Sequence, residues 1–351
     1  MKQLVKTITK KDFSIFVNAL VKDKSYDVVG VQAKGKHYVF DTLSSAQELR
    51  LEYDVTILPP KKYFLPQYET LLKYSLEKPF QGKETITDSP RIIIGVHPYD
   101  IIALEQTDRH YLDQQQDNFY KKRRENTLII GVDIQNVSER SFAASMKTNT
   151  TESGFDLLLT DIGNTYAITI GSEKGNTLLK KYATVKGASS TDLNKITAAR
   201  NAVLKKYKQK VKIEKQDWSS LLVANYQNAI WEEHGDVCME CSSCTMVCPT
   251  CFCYDVKDEV SLNLKKGNRM RTWDGCMLKD FTKVASGEVF REDVKERYRH
   301  RFFRKGNYLP ERYGFVACVG CGRCGSACLP DIADPCNLIN ELAHFSSEAE
   351  T

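Results

Sequence analysis

The spacing of hydrophobic and polar positions changes just past the middle of the chain. In the first part, the apolar runs 92–96 (IIIGV) and 127–134 (TLIIGVDI) predict buried strands, and each lies next to a segment with a helical pattern. Residues 155–179 predict two strands joined by a turn at Gly163 and Asn164. These alternating elements indicate an α/β unit.

From about residue 190 the pattern becomes helical. The stretch TDLNKITAARNAVLKKYKQKV has charges at helical spacing and predicts a helix with Thr191 as its cap. Residues 269–305 also favour helix. The fold class predicted is α+β, with an N-terminal α/β domain followed by a helical domain. The predicted boundaries are 1–190 for the N-terminal domain (or two lobes, 1–85 and 86–190), 191–230 for a helical linker and 231–351 for the C-terminal domain.

All twelve cysteines lie between Cys238 and Cys336. The start of the chain, MKQLVKTITKKDF, has charges where a signal peptide would have its apolar core. In such a chain, crowded cysteines are typical of metal sites and not of secreted disulfide frameworks. No stretch reaches the roughly 18 apolar residues that a membrane span needs. We therefore expect a cytoplasmic protein without a membrane span.

Two copies of one cysteine motif begin 80 residues apart. CMECSSCTMVC and CVGCGRCGSAC share the spacing C-x2-C-x2-C-x3-C. The short links let three thiolates surround one corner of a four-iron cubane, and in two-cluster ferredoxins the fourth cysteine ligates the other cluster. The sequence therefore predicts two [4Fe-4S] clusters with crossed ligands. Cluster I is assigned to Cys238, Cys241, Cys244 and Cys328, and cluster II to Cys318, Cys321, Cys324 and Cys248.

The interval between the motifs indicates the type of ferredoxin. Residues 249–317 are far more than the short β-rich link of small two-cluster ferredoxins, which favours an α-helical ferredoxin-like arrangement. Zinc is the alternative occupant, but its four-cysteine sites use two C-x2-C pairs, which this spacing fits poorly. The copies differ at their ends, because Pro249 follows Cys248 directly whereas Leu329 follows Cys328.

Four cysteines lie outside the two motifs: Cys251, Cys253, Cys276 and Cys336. They could pack around the clusters as small apolar groups or donate weak hydrogen bonds to them. They could instead form a further metal or redox site. Packing is favoured because no further C-x2-C accompanies them.

The formal charge of +5 raises the question of a nucleic-acid partner. Two clusters with four thiolates each would add about −4 and leave the loaded chain near +1. We therefore expect no nucleic-acid binding. The basic runs 205–215 and 297–305 are interpreted as solvated helix faces.

Three segments of the cysteine-rich region carry a family resemblance. They are CSSCTMVCPTCFCYDVKDEV, NRMRTWDGCMLKDFTKVASGEVFREDVKERYRHRFFRK and YGFVACVGCGRCGSAC. Together they resemble the four-iron dicluster family, which includes the beta subunit of cytoplasmic sulfhydrogenases and an iron–sulfur subunit of anaerobic sulfite reductase. The resemblance implies an electron-transfer subunit of a multisubunit oxidoreductase. Its partners would be a catalytic metalloenzyme subunit, of hydrogenase or sulfite-reductase type, together with a flavin-containing NAD(P)H- or ferredoxin-linked reductase subunit.

The same resemblance implies a divergent member. Family members carry a cysteine where this chain has Tyr99, and a C-x6-C-x-C element where it has Ile134, Ser141 and Ala143. These four side chains cannot hold a cluster, so we expect no iron in the N-terminal domain.

Two other functions remain open from the sequence. The chain could be a catalytic reductase whose spare cysteines, chiefly Cys251, Cys253 and Cys276, contribute to substrate chemistry. It could also be a docking module in which the clusters are structural. No nucleophile–base pair, zinc-protease motif or phosphate loop appears elsewhere.

Overall fold

The computed structural model describes residues 4–86, 89–113 and 116–349. The strands are β1 (Val5–Thr9), β2 (Asp27–Lys34), β3 (His37–Thr42), β4 (Tyr68–Ser75), β5 (Gln81–Glu84), β6 (Arg91–Val96), β7 (Thr127–Val132), β8 (Leu157–Asp161), β9 (Thr165–Ile170), β10 (Lys186–Gly187), β11 (Tyr254–Val260) and β12 (Lys266–Trp273). The helices are α1 (Lys10–Lys22), α2 (Pro98–Tyr111), α3 (Asn118–Glu125), α4 (Glu173–Tyr182), α5 (Ser190–Leu204), α6 (Trp218–Ala224), α7 (Ile230–Val237), α8 (Ser243–Met246), α9 (Val294–Phe303), α10 (Leu309–Tyr313), α11 (Arg323–Ser326) and α12 (Pro335–Ala349). The chain is thus a mixed α/β protein.

An eight-stranded sheet forms the first part of the molecule, in the order β10-β1-β9-β8-β7-β6-β2-β3. Its centre, β2, β6, β7 and β8, is parallel, and the outer pairs are antiparallel. Buried parallel strands read as continuous apolar runs, and Ile92, Ile93 and Ile94 of β6 are fully buried. The strands predicted at 92–96, 127–134 and 155–179 are confirmed.

The cap of helix α5 lies two residues before the predicted position. Ser189 caps the helix, because its Oγ accepts a hydrogen bond from the Asp192 amide (3.2 Å) while the Asp192 carboxylate accepts one from the Ser189 amide (3.0 Å). This reciprocal pair satisfies two amides that the helix start leaves unpaired. The prediction of Thr191 as the cap was wrong. The helix ends at Leu204, so the basic run 205–215 lies outside it.

A second sheet joins distant parts of the sequence, in the order β11-β12-β4-β5. Every pair in it is antiparallel. Arg271 of β12 donates from Nε to Oε1 of Glu69 in β4 (2.7 Å), and both side chains are buried. The prediction of helix over 269–305 was therefore wrong up to residue 293. Pairing with β11 and β4 holds residues 266–273 extended, only a short 3-10 turn (Lys279–Thr282) follows, and the α-helix begins at Val294. The predicted boundaries at 190 and 230 stay predictions.

The second apolar core lies around α9. Trp218, Trp231, Tyr298, Phe302 and Leu342 are buried together there. A five-residue π-helical turn, Arg304–Tyr308, follows α9 directly. No helix within the described residues is long and apolar enough to cross a membrane.

Candidate metal centre

The two cysteine motifs share one local structure. In each, a loop with the first two cysteines leads into a single helical turn, α8 or α11, and these two turns contact each other. The second and fourth residues after the first cysteine have positive φ angles in both copies. These residues are Glu240 (52°), Ser242 (58°), Gly320 (63°) and Gly322 (82°). The two motifs therefore share their local backbone structure as well as their cysteine spacing.

Glycine is required in the second copy because another segment of the backbone lies against it. A Cβ at Gly322 would lie 2.5 Å from the carbonyl carbon of Arg140, and one at Gly320 would lie 2.8 Å from that of Phe142. Ser141 donates from Oγ to the Gly320 carbonyl (3.0 Å), and Thr148 donates to the Val319 carbonyl (2.7 Å). Residues 138–148 thus enclose the second motif.

The predicted ligands of cluster I line one small cavity. The four cysteines around it are Cys238, Cys241, Cys244 and Cys328, with Met277, Tyr298 and Ile332 among the other lining residues. Cys241 is exposed and the other three thiols are half-buried. Burial raises the pKa of Cys238 and Cys244, and the neighbouring Cys328 thiol raises both further. The structure therefore brings thiols from both motifs to one space.

The predicted ligands of cluster II are also neighbours, and they lie deeper. Cys248, Cys321 and Cys324 are buried, whereas Cys318 is half-buried. Burial raises the pKa of Cys318 to about 12 and that of Cys321 to about 11, and the nearby Cys248 thiol contributes to both shifts. Burial is the largest cause that raises the pKa of Cys324. The Arg301 guanidinium lowers this pKa, and the nearby Cys248 thiol raises it further.

Three of the four remaining cysteines lie beside these ligands. A hydrogen bond with the Cys248 thiol raises the pKa of Cys251. Burial raises the pKa of Cys276 to about 11, with further contributions from Cys253 and Cys244. Cys336 lies apart in α12, where the Asn340 amide donates to its Sγ (3.7 Å).

A buried ion pair connects the second motif to the N-terminal sheet. Arg323 of α11 donates two hydrogen bonds to the Asp100 carboxylate of α2 (2.6 and 2.7 Å). It donates two more to Thr56, at its carbonyl (2.7 Å) and its Oγ1 (2.9 Å). Such a planar, bidentate pair fixes orientation as well as charge. It therefore holds α11 against α2.

Three further cations are buried near the cysteines and contact no carboxylate of the described residues. Lys61 (3% exposed) donates to the carbonyls of Cys248 (2.9 Å) and Cys251 (2.7 Å). Lys305 (5% exposed) donates to the Cys248 Sγ (3.2 Å), and Arg301 (1% exposed) donates to the Ala333 carbonyl (3.0 Å). Nε and Nη1 of Arg301 have no hydrogen-bond partner among the residues that the structure describes. Buried charges are normally paired, so the negative charge that compensates these three cations must come from the cysteine thiolates and the group that they hold.

Two [4Fe-4S] clusters fit these residues. Each oxidised cluster with four thiolates carries a charge of about −2, which would compensate the three buried cations. Each thiolate of a cubane binds a different iron, so the ligands stand further apart than those of a single ion. No group of three or more Cys, His, Asp or Glu side chains in the described ranges could hold a single metal ion.

The four N-terminal positions singled out in the sequence meet at one place. Tyr99, Ile134 and Ala143 pack in one buried apolar cluster with Val319 and Cys321 of the second motif. Ser141 is buried beside them and donates to the Gly320 carbonyl. These side chains pack against the second motif.

The buried cations are the functional residues that the sequence interpretation missed. Arg297, Arg301 and Lys305 are all buried, so the interpretation of 297–305 as a solvated face was wrong. Their spacing of four residues places them on one helix face, and this is the signal that could have revealed them. Lys61 offers no such signal, because it lies 187 residues before Cys248.

Comparison with known proteins identifies the cysteine-rich region as an iron–sulfur domain. The family model of the 4Fe-4S dicluster domain matches residues 237–332. Over 302 residues, the chain is 31% identical to the sulfhydrogenase 2 subunit beta of Pyrococcus furiosus, a match that covers 86% of this chain and 88% of the relative.

Proposed function

The chain belongs to the family of the sulfhydrogenase beta subunits, and we propose that it transfers electrons within a multisubunit oxidoreductase. In the proposed complex it relays single electrons through two [4Fe-4S] clusters. It would connect a catalytic subunit of hydrogenase or sulfite-reductase type with a flavin-containing NAD(P)H- or ferredoxin-linked reductase subunit. The sulfhydrogenase name belongs to the relative, and its extension to this chain is part of the proposal.

One observation carries the proposal: two separate groups of four thiols, each drawn from both motifs. Cys238, Cys241 and Cys244 lie around one cavity with Cys328 from the second motif. Cys248 of the first motif lies instead among the cysteines of the second. We propose these two groups as the ligand sets of clusters I and II.

The clusters supply one-electron carriers at these two positions. The residues of the chain hold them, limit the access of water and compensate their charge. The second motif is enclosed by residues 138–148 and held by the Asp100–Arg323 pair. Burial keeps Cys318 and Cys321 protonated near neutral pH before loading, so binding of iron must release protons.

The N-terminal α/β domain, residues 1–190, is proposed to bind no iron. Tyr99, Ile134 and Ala143 pack among apolar side chains, and neither Ile134 nor Ala143 offers a ligand atom. The domain would support cluster II and provide surface for partner subunits.

Iron and sulfide analysis with EPR of the anaerobically purified, reduced protein tests this function. We expect about eight irons per chain and the spectrum of two spin-coupled clusters. About twelve irons would contradict the proposal for the N-terminal domain, and about four would contradict the two-cluster assignment.

A purification from the native organism tests the relay role. We expect the chain to co-purify with a flavoprotein and a metalloenzyme. Turnover of substrate by the isolated chain would instead support a catalytic reductase that uses Cys251, Cys253 or Cys276. Clusters that cannot be reduced near physiological potentials would support a docking module.

A further inference from the structure

Lys305 lies where the two cysteine motifs meet. Its Nζ donates to the Cys248 Sγ (3.2 Å), to Thr250 Oγ1 (2.9 Å) and to the Ala317 carbonyl (3.2 Å). Thr250 follows the first motif closely and Ala317 directly precedes the second. All three donor positions of this ammonium group are therefore used, and one of them is directed at a proposed iron ligand.

The backbone around Lys305 is specialised for this contact. The residue lies in the π-helical turn that follows α9, and such turns are rare and frequently lie at functional sites. The Lys305 carbonyl also accepts the amide of Ala317 (2.9 Å). Backbone and side chain of Lys305 thus both contact the segment that leads into the second motif.

A second ammonium group approaches Cys248 from the N-terminal part of the chain. Lys61 donates to the carbonyls of Cys248 and Cys251 and lies over the ring of Trp273, 4.1 Å from its centroid. Burial lowers the pKa of Lys61 to about 8, and the nearby Cys251 and Cys248 thiols oppose this shift. The ammonium group of Lys61 therefore lies beside the backbone of the proposed ligand Cys248.

Two other buried cations of the region differ from these two lysines, whereas Arg301, which also contacts no carboxylate of the described residues, donates to the Ala333 carbonyl (3.0 Å). Arg323 is paired with Asp100, and Arg297 with Glu240. Lys305 and Lys61 have no carboxylate partner within the described ranges, so the charge that compensates them comes from the cysteine thiolates and the group that these would hold. Cys328, the equivalent fourth cysteine of the second motif, accepts no hydrogen bond from a cation in the same ranges.

We propose that Lys305, assisted by Lys61, raises the reduction potential of cluster II through Cys248 and leaves cluster I largely unaffected. This inference rests on the proposed ligand sets. Reduction adds one negative charge to a cluster, and a buried cation within hydrogen-bond distance of a ligand sulfur favours the more negative state. Burial of Cys248, Cys321 and Cys324 has the opposite effect, because it disfavours added charge. The two lysines offset that effect.

Potentiometric titration followed by EPR tests the proposal on the full, loaded chain. In Lys305→Met we expect one cluster to become about tenfold harder to reduce, a shift of about 59 mV for a one-electron couple. The other cluster keeps its potential and the iron content stays at about eight. Lys61→Met shifts the same cluster in the same direction by less, because Lys61 contacts carbonyls and not the sulfur.

The matched control is Lys295→Met. Lys295 lies on α9, which leads into the π-helical turn of Lys305, but its side chain is 41% exposed and pairs with Glu232 (3.0 Å), so we expect neither potential to change. Lys305→Arg, which keeps the charge, should recover at least half of the shift seen in Lys305→Met.

Unchanged potentials in both Lys305→Met and Lys61→Met, with about eight irons retained, would overturn the proposal. Equal shifts in the reduction potentials of both clusters would overturn the proposal too, since the lysines would then act on both clusters and not through Cys248. If Lys305→Met loses iron from one cluster alone, the potentials of Lys61→Met test the proposal instead. A lower potential of one cluster in Lys61→Met would support it, and unchanged potentials would overturn it. Failure of the proposed function can be distinguished from failure of this inference, because in the first case the unmodified chain itself would lack two clusters.

Discussion

The two cysteine motifs have the same spacing and the same local fold, yet their surroundings differ. The first lies near the surface, with Cys241 exposed and non-glycine residues at both positive-φ positions. The second is enclosed by residues 138–148 and held by Arg323. Of the four cysteines in the first motif, only Cys248 is buried. Because the cysteine spacing is the same in both motifs, their differences in charge, access and rigidity come from the surrounding chain.

The largest expected effect separates the fourth cysteines of the two motifs. Cys248→Ala should remove cluster II and Cys328→Ala should remove cluster I, each lowering the iron content from about eight to about four. Iron analysis and EPR measure this, with Cys321→Ala and Cys241→Ala as references for the loss of each cluster. The crossed assignment is wrong if Cys248→Ala gives the spectrum of Cys241→Ala.

The second-largest expected effect concerns the Asp100–Arg323 ion pair, which contacts the second motif and not the first. Asp100→Asn leaves the Arg323 guanidinium buried without its carboxylate, and such a loss costs about 3–5 kcal/mol of unfolding free energy. Anaerobic denaturant titration measures it. Glu240→Gln is the control in the first motif, and its cost should be clearly smaller because Glu240 is 43% exposed. Equal costs would mean that the two motifs are held equally firmly.

Substitution of Gly322 and of Ser242, the second positive-φ residue in each loop, tests whether the second motif alone requires glycine. Gly322→Ala adds a Cβ 2.5 Å from the Arg140 carbonyl carbon at a φ of 82°, and we expect a loss of about 1–3 kcal/mol in unfolding free energy. Ser242→Gly, at the equivalent position of the first motif, should cost much less. Thermal unfolding of both variants decides, and a tolerated alanine at 322 would show that residues 138–148 can move away.

The smallest expected effect lies at the ends of the motifs. Leu329 is 86% exposed, so Leu329→Ser should change the unfolding free energy by less than about 0.5 kcal/mol. Pro249, which follows Cys248, is buried, and Pro249→Ala should destabilise the protein more. Denaturant titration and iron analysis provide the comparison. A loss of iron in Leu329→Ser alone would reverse the order predicted for the two ends.

The sequence predicted what depends on local pattern. The apolar run of β6 predicted a buried strand, as observed, whereas the two ligand sets derived from the repeated cysteine spacing stay a prediction. It missed what depends on distant partners. Residues 269–273 were predicted as helix, but they lie in β12, which pairs with its hairpin neighbour β11 and with β4, about 200 residues earlier. The lysines and arginines of 297–305 were interpreted as solvated because charge normally faces water, and their spacing on one face was given too little weight.

The pairing of β12 with β4 has a consequence for biosynthesis. Glu69 and Arg271, which contact each other across this pair, are separated by 202 residues. At about 5–20 residues per second, β4 leaves the ribosome roughly 10–40 s before its partner strand. During that time its edge towards β12 has no partner, and an unpaired edge strand invites pairing with other chains.

The proposed ligand sets imply that cluster loading is delayed as well. Cluster I needs Cys328 and cluster II needs Cys318, so neither set is complete until both motifs have been synthesised. Iron delivery to this chain would then be a post-translational event. It would follow closure of the second sheet, and a nascent chain stalled before residue 318 should contain no complete cluster.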